Sequence, residues 1–224
     1  MPKLSQDNSA SQREVAYQGL RRLLILQQVE PGKRLREPEW AGRLGVHRSA
    51  LREAFARLEA EGLIERGPQT GYFVPRLSAE DLQEINKLRL ALECLAIDEI
   101  CGGKGRAPLS EMERARDDFG RFVQGGYSLG AIEADRRFHE ALIAAAGLRR
   151  LSDLYRRAPL PMIHRDVHDP VAWEQEGRRT HDEHRRLLQH LHAGEAKAAK
   201  AVLRQHLHES VSRAPARTVR ASAS

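Results

Sequence analysis

Aromatic residues are scarce, at 5% of 224 residues. A chain so poor in rings does not supply the stacking platforms that hold single-stranded nucleic acid. Cysteine is scarcer still. Cys94 and Cys101 are too few for a disulfide scaffold or a thiolate zinc site, and they suit a reducing cytosol. No apolar run reaches the roughly 18 residues of a membrane span. The first residues, Met-Pro-Lys-Leu-Ser-Gln-Asp, lack the apolar stretch of a signal peptide. A cytoplasmic protein without membrane contact is expected. Against these shortages, 41% of residues are hydrophobic and 30% charged, so the chain can build a core and does not read as a disordered tail. Its length suits one large domain or two small ones.

The net charge is +6, unevenly spread: residues 1–76 carry 13 basic against 9 acidic side chains, and the remainder 24 against 22. Arginine outnumbers lysine 31 to 6, which suits bidentate contacts to phosphate and guanine. A GC-rich genome gives the same overall ratio through codon usage. The concentration of charge in the first third is the better pointer to an anionic partner.

Residues 11–29 place Ala16, Leu20, Leu23 and Leu24 at the 3-4 spacing of a one-sided helix, ended by Pro31-Gly32. A short helix is expected over 38–44, with Pro38 in its first turn and Gly45 past its end. A third spans 48–61, with Leu51, Phe55 and Leu58 on its apolar side and Arg48, Arg52 and Arg57 on the other. The period then changes. Leu63-Ile64 and Tyr72-Phe73-Val74 are short β-prone runs around Gly67-Pro68-Gln69-Thr70-Gly71, a hairpin signal. Three helices and a hairpin make a winged helix-turn-helix over 12–76, after a flexible segment 1–11. Beyond a linker at Pro75-Arg76-Leu77 the pattern is helical throughout, with helices expected at 79–101, 110–124, 129–146, 149–157, 170–192 and 195–212. Ser78 with Asp81 and Ser110 with Glu113 have capping-box spacing. The fold class is therefore mainly α: a winged helix-turn-helix, then an all-α helical bundle over 77–213 and a flexible tail over 214–224.

Pro31-Gly-Lys-Arg-Leu-Arg-Glu, then Leu44-Gly-Val-His-Arg-Ser-Ala-Leu-Arg-Glu-Ala-Phe-Ala-Arg-Leu, then Gly71-Tyr-Phe-Val, resembles the DNA-binding domain of the GntR family of bacterial transcription regulators. A helical second domain of this length is similar to the FCD effector domain of the FadR subfamily. The resemblance implies that Arg48 and Arg52 approach operator DNA from the recognition helix and that the wing tip, Thr70-Gly71, enters the minor groove. Helix-turn-helix geometry agrees, because the first residues of the second helix reach base edges; here these are His47, Arg48, Ser49 and Arg52. Arg36 is a further phosphate-contact candidate. The family's usual Ser-Arg-Thr-Pro-Val-Arg is here His47-Arg48-Ser49-Ala50-Leu51-Arg52, in which His47 stands for the serine cap and Ala50 for the proline. One recognition helix reads too few base pairs for useful specificity. A homodimer reading an inverted repeat in duplex DNA is the expected solution.

Eight of the ten histidines lie between positions 164 and 208. Asp135 and His139 are one helical turn apart, on a face shared with Ile132, Leu142 and Ala146. His184 shares a stripe with Leu188 and Leu191, and His206 with Val202 and Leu203. His184 lies ten residues before Gly194 and His206 twelve after it, so in a helical hairpin both sit roughly 15–18 Å from the bend, at one height. A core-facing aspartate is costly unless paired or ligating. Three imidazoles and a carboxylate at one depth would form a divalent metal site, with a metal-free polar core as the alternative. The pattern is similar to that of metal-binding FCD proteins. The expected ion is zinc, with nickel or manganese as alternatives. His181, one turn from His184, is either a bystander or a partner of the ligands.

In the resembled family small organic acids occupy the remaining space at the ion. This implies a carboxylate effector, for which Arg89 of the Arg-x-x-x-Glu segment and Thr180 are candidates; Arg89 can equally pair with Glu93 at i+4. Trp173 reads as core packing. The leading expectation is a ligand-responsive transcription regulator, a repressor, and not an enzyme. The alternatives are a sensor in which the ion is the signal, a metal-dependent hydrolase, for which no general base stands out, and a sequence-neutral architectural protein.

Overall fold

The computed structural model describes residues 4–67, 70–103, 108–158 and 169–212. Helix α1 (Leu4–Ile25) buries Ala16, Leu20 and Leu24, the stripe its spacing predicts. It begins inside the segment expected to be flexible. Leu4–Gln12 contains neither glycine nor proline to stop a helix anchored further on, and the Gln12 side chain accepts a hydrogen bond from the His47 amide at 3.0 Å. The helix also ends four residues sooner than expected. Gln27 adopts φ 52°, and the amides of Gln27 and Gln28 turn back to the carbonyls of Leu24 and Leu23, a left-handed closure.

Helices α2 (Glu37–Leu44) and α3 (Arg48–Ala60) form the helix-turn-helix. Gly45, at φ 65°, makes the turn in a conformation that costs a side-chain-bearing residue more. Leu51, Phe55 and Leu58 of α3 pack with Leu20 and Trp40. Strands β1 (Arg34–Leu35), β2 (Glu65–Arg66) and β3 (Tyr72–Phe73) pair antiparallel in the order β1-β3-β2. Phe73 lies opposite Arg34 on one side and Glu65 on the other. The first hairpin strand is thus two residues later than Leu63-Ile64. The Leu63 amide is taken by the Leu58 carbonyl, closing α3, and Ile64 is buried in the core. Of the expected turn, Pro68 and Gln69 lie outside the described residues.

The second part comprises α4 (Ala79–Cys101), α5 (Ser110–Gln124), α6 (Ser128–Ala145), α7 (Arg149–Arg157), α8 (Pro170–His192) and α9 (Ala196–Ser212). Ser78 and Asp81 form the expected capping box. Ser110 does not: Leu109 occupies the cap position and Ser110 is already helical. Asp169 caps α8, accepting from the amides of Val171 and Ala172. Ile97, Met112, Phe138, Leu142, Leu188 and Leu203 join α4, α5, α6, α8 and α9 in one core. A second cluster holds Phe119, Val123, Ile132 and Trp173, with Ile25 of α1 packed against it. Trp173 is therefore core packing, and the two parts of the chain touch there. The tail 214–224 lies outside the described residues.

Candidate metal centre and nucleic-acid interface

At the start of α3, His47, Arg48, Ser49 and Arg52 are all exposed, whereas Ala50 faces the core. His47 occupies the cap position without a side-chain cap bond. Arg48 and Arg52 are one turn apart and can offer planar donor forks to base edges or phosphates. The Arg52 side chain, 67% exposed, rests on Glu37 through Nε to Oε2 at 2.8 Å. Arg36 is exposed at the cap of α2.

Thr70 and Gly71 are exposed at the wing, with Gly71 at φ 135°. Arg34, which sequence reasoning did not single out, donates from Nη2 to the Thr70 carbonyl at 2.7 Å and lies over the Phe73 ring. Only the pairing of β1 with β3 brings it to the wing, so no local pattern marks it.

Helix α6 contributes Asp135 and His139, α8 His184, and α9 His206. One ligand atom from each lies within 4.8 Å of all the others. Asp135, His139 and His184 are buried, and His206 is 9% exposed. His184 is sandwiched: Phe138 stacks on it at 3.8 Å between centroids, and Phe119 lies tilted at 5.6 Å. Its Nε2 is 3.2 Å from Asp135 Oδ1. The Nε2 atoms of His139 and His206 are 3.2 Å apart.

Their other nitrogens explain why that contact matters. His139 Nδ1 lies 2.7 Å from Glu93 Oε2, and His206 Nδ1 lies 2.8 Å from Glu183 Oε2. A carboxylate only accepts, so each Nδ1 must donate. With both rings neutral, the two Nε2 atoms present bare lone pairs to each other, buried. A metal cation between them resolves this, as a single shared proton also would. Metal bonds of about 2.0–2.1 Å give donor–donor edges of roughly 3.0–3.4 Å. The His139–His206 and His184–Asp135 separations of 3.2 Å match, while His139 Nε2 and Asp135 Oδ1 stand wider, at 3.8 Å, and all four atoms lie within 4.8 Å of one another. The residues fit a divalent ion. Burial also holds His184 largely neutral, its pKa pushed down to about 3 despite Asp135 beside it. Burial lowers that of His139 against the pull of Glu93. At His206 burial works the same way, but the hydrogen bond to Glu183 and the charge of Asp135 outweigh it and the pKa rises.

Glu93 and Glu183 bond two of the clustered histidines, a placement that sequence reasoning missed. Glu93, fully buried, accepts from Arg89 Nε at 3.1 Å and from the Tyr155 hydroxyl at 2.8 Å. Burial opposes its ionisation, yet His139 and Arg89 hold its pKa down to about 2. A buried glutamate one turn from an arginine reads, from sequence alone, as an ordinary intrahelical pair. That pair does form. Arg89 Nη2 nevertheless remains buried and without a hydrogen-bond partner among the described residues. Thr180 is buried one turn before His184. His181 packs against Gly120 of α5 and is not in the four-residue cluster.

Residues 84–209 match the FCD domain, and residues 12–74 match the bacterial regulatory proteins of the gntR family. The chain belongs to the GntR family, with an FCD domain. Among its relatives, the uncharacterized HTH-type transcriptional regulator YdhC of Bacillus subtilis is 30% identical over 139 residues, spanning 62% of each chain. The uncharacterized HTH-type transcriptional regulator BphR of Paraburkholderia xenovorans is 28% identical over 215 residues, or 89% of this chain and 83% of that one. The solved structure of E. coli McbR/YncC shares the fold, with a TM-score of 0.69 at 21% identity over 90% of this chain and 95% of that one. GntR proteins are DNA-binding transcription regulators and not enzymes, which removes the hydrolase reading. No helix among the described residues is long and apolar enough to cross a membrane.

Proposed function

We propose that this GntR protein is a cytoplasmic transcription repressor of the FadR subfamily, nucleoid-associated when bound to DNA. In this reading it binds an inverted repeat in duplex operator DNA as a homodimer and answers to a small carboxylate effector held beside a divalent metal in the FCD domain. The observation that carries the reading is the convergence of Asp135, His139, His184 and His206 within 4.8 Å, in a chain whose α3 leaves Arg48, Ser49 and Arg52 exposed.

On the DNA side, Arg48 and Arg52 read bases, with His47 and Ser49 beside them. Arg36 contacts phosphate, and Arg34 holds Thr70 and Gly71 for the minor groove. In the effector domain Asp135, His139, His184 and His206 hold the ion, zinc ahead of nickel or manganese. When bound, it supplies a Lewis-acid position for a carboxylate oxygen. The free Nη2 of Arg89, with Thr180 near His184, suits the acid's other end, because a guanidinium binds carboxylates in a charge-assisted fork. In this reading the effector releases the protein from an operator whose transcription it blocks.

The test is operator affinity measured with a chelator, with zinc alone, and with zinc plus a panel of small organic acids. A change only when acid is added supports the effector reading. A change with zinc alone supports the second reading, a metal sensor. Identical affinity under all three conditions rejects both. The raised pKa of His206 favours a third arrangement, a proton shared by His139 and His206 in a metal-free core. Protein purified without added metal and containing none, and taking up none on titration, would favour it over both metal readings.

A further inference from the structure

Resting on the metal reading above, we infer that Glu93 and Glu183 are the positioning residues of the centre. They fix Nε2 as the metal-facing nitrogen of His139 and His206, and they supply the buried negative charge that makes the site select a dication.

The geometry carries both halves. Each glutamate holds one histidine through Nδ1, at 2.7 and 2.8 Å. The two come from helices that carry no copy of the histidine each one orients: Glu93 of α4 holds His139 of α6, and Glu183 of α8 holds His206 of α9. A carboxylate on the far nitrogen fixes ring tautomer and orientation and raises the basicity of the near one. Glu93 is itself held from two further sides, by Arg89 and Tyr155. Glu183 has Arg179 Nε at 3.9 Å, but that arginine is also bonded to Glu176 and Glu209. His184 is braced by Phe138 stacking instead.

The charges then follow. Asp135, Glu93 and Glu183 place three negative charges in the buried centre and Arg89 returns one positive. With the histidines neutral, as metal ligation requires, two negative charges are left over. A divalent cation cancels them; a monovalent ion leaves one buried charge, and an anion alone adds to the excess. Unbalanced buried charge is what a protein interior tolerates least.

The experiment uses the full chain, stripped with chelator, as wild type, Glu183→Gln, Glu93→Gln and His184→Ala. Each is titrated with zinc against a competing chromophoric chelator, and thermal melting is recorded with and without metal. Both glutamine variants are expected to bind zinc about 10–100-fold more weakly than wild type. The melting curves separate positioning from structural support. Metal-free Glu183→Gln is expected to melt near the wild-type temperature, because the glutamine amide oxygen still accepts from His206 Nδ1. Metal-free Glu93→Gln melts lower, because Arg89 loses its counter-charge. Wild-type zinc affinity in Glu183→Gln overturns the inference, whatever happens to Glu93→Gln. If wild type binds no more zinc than His184→Ala, the metal reading itself fails and this inference falls with it.

Discussion

At Arg48 and Arg52 a helix start, solvent exposure and two guanidinium groups coincide. Arg52 is not idle in the free protein, since Glu37 holds its Nε at 2.8 Å. The pair is exposed, and such pairs contribute about 0–1 kcal/mol, so Glu37 orients Arg52 without outbidding a guanine or phosphate. Replacing either arginine by alanine is expected to cost about 1–3 kcal/mol of operator affinity. Metal content and melting temperature stay at wild-type values, because neither side chain touches the core. Glu37→Gln is expected to change affinity less than Arg52→Ala. Operator isotherms for the three variants check this, and wild-type binding by both arginine variants would mean that α3 is not the reading helix. Ala50, where the family's proline stands, is buried.

The helices divide labour in a way their sequences only partly reveal. Helices α6, α8 and α9 carry the four candidate ligands, so a bound ion would tie together three helices distant in sequence and stabilise them by mass action. At a free zinc concentration 100-fold above the dissociation constant, the gain is about 2.7 kcal/mol. Chelation is expected to lower the melting temperature of wild type, while His206→Ala melts at one temperature with or without zinc. Close approach of α5 and α8 is set by Gly177, where a Cβ would lie 2.6 Å from Val123 Cγ1. Gly177→Ala is expected to destabilise by about 1–3 kcal/mol, read as a drop of roughly 2–4 °C per kcal/mol. The helices after Ser78 were legible because glycine breaks and 3.6-residue periodicity agree there, and α4, α5, α7 and α8 end where those signals predict. The four-residue cluster was legible because each member shares a stripe with core leucines or isoleucine. Other features depended on partners far along the chain. Strand β1 is two residues long and exists only by pairing with β3. Ser110 has the spacing of a cap, but the helix takes Leu109 instead. Glu93 and Glu183 look like routine helix acids until α6 and α9 bring histidines onto them.

Across the whole molecule, the contact between the two domains runs through Arg21 of α1. This buried side chain pairs with Glu61, which caps the C-terminal end of α3, at 2.7 Å, and with Glu133 of α6. Glu133 lies two residues before Asp135 of the candidate metal cluster, and Tyr17 of α1 also bonds to Glu61. Beside this polar link Ile25 packs on the Phe119–Trp173 cluster, and Phe119 touches His184. A continuous set of contacts therefore joins the reading helix to the ligand helices. Contact alone is not coupling; it needs an effector whose affinity differs between DNA-bound and free protein. Arg21→Ala removes the charge-assisted bonds to Glu61 and Glu133, and is expected to destabilise the chain by about 1–3 kcal/mol while leaving Arg48, Arg52 and the four metal ligands in place. The telling measurement is a titration of small organic acids into zinc-loaded protein, with and without operator, in wild type and Arg21→Ala. Wild type is expected to bind the active acid more weakly when operator is present, and by reciprocity the acid weakens operator binding by the same factor. In Arg21→Ala that factor is expected to shrink toward one although each ligand still binds. Equal acid affinity with and without operator in wild type would remove the switch while leaving the site intact. An undiminished factor in Arg21→Ala would keep the switch and place its route elsewhere, through the Ile25 contact.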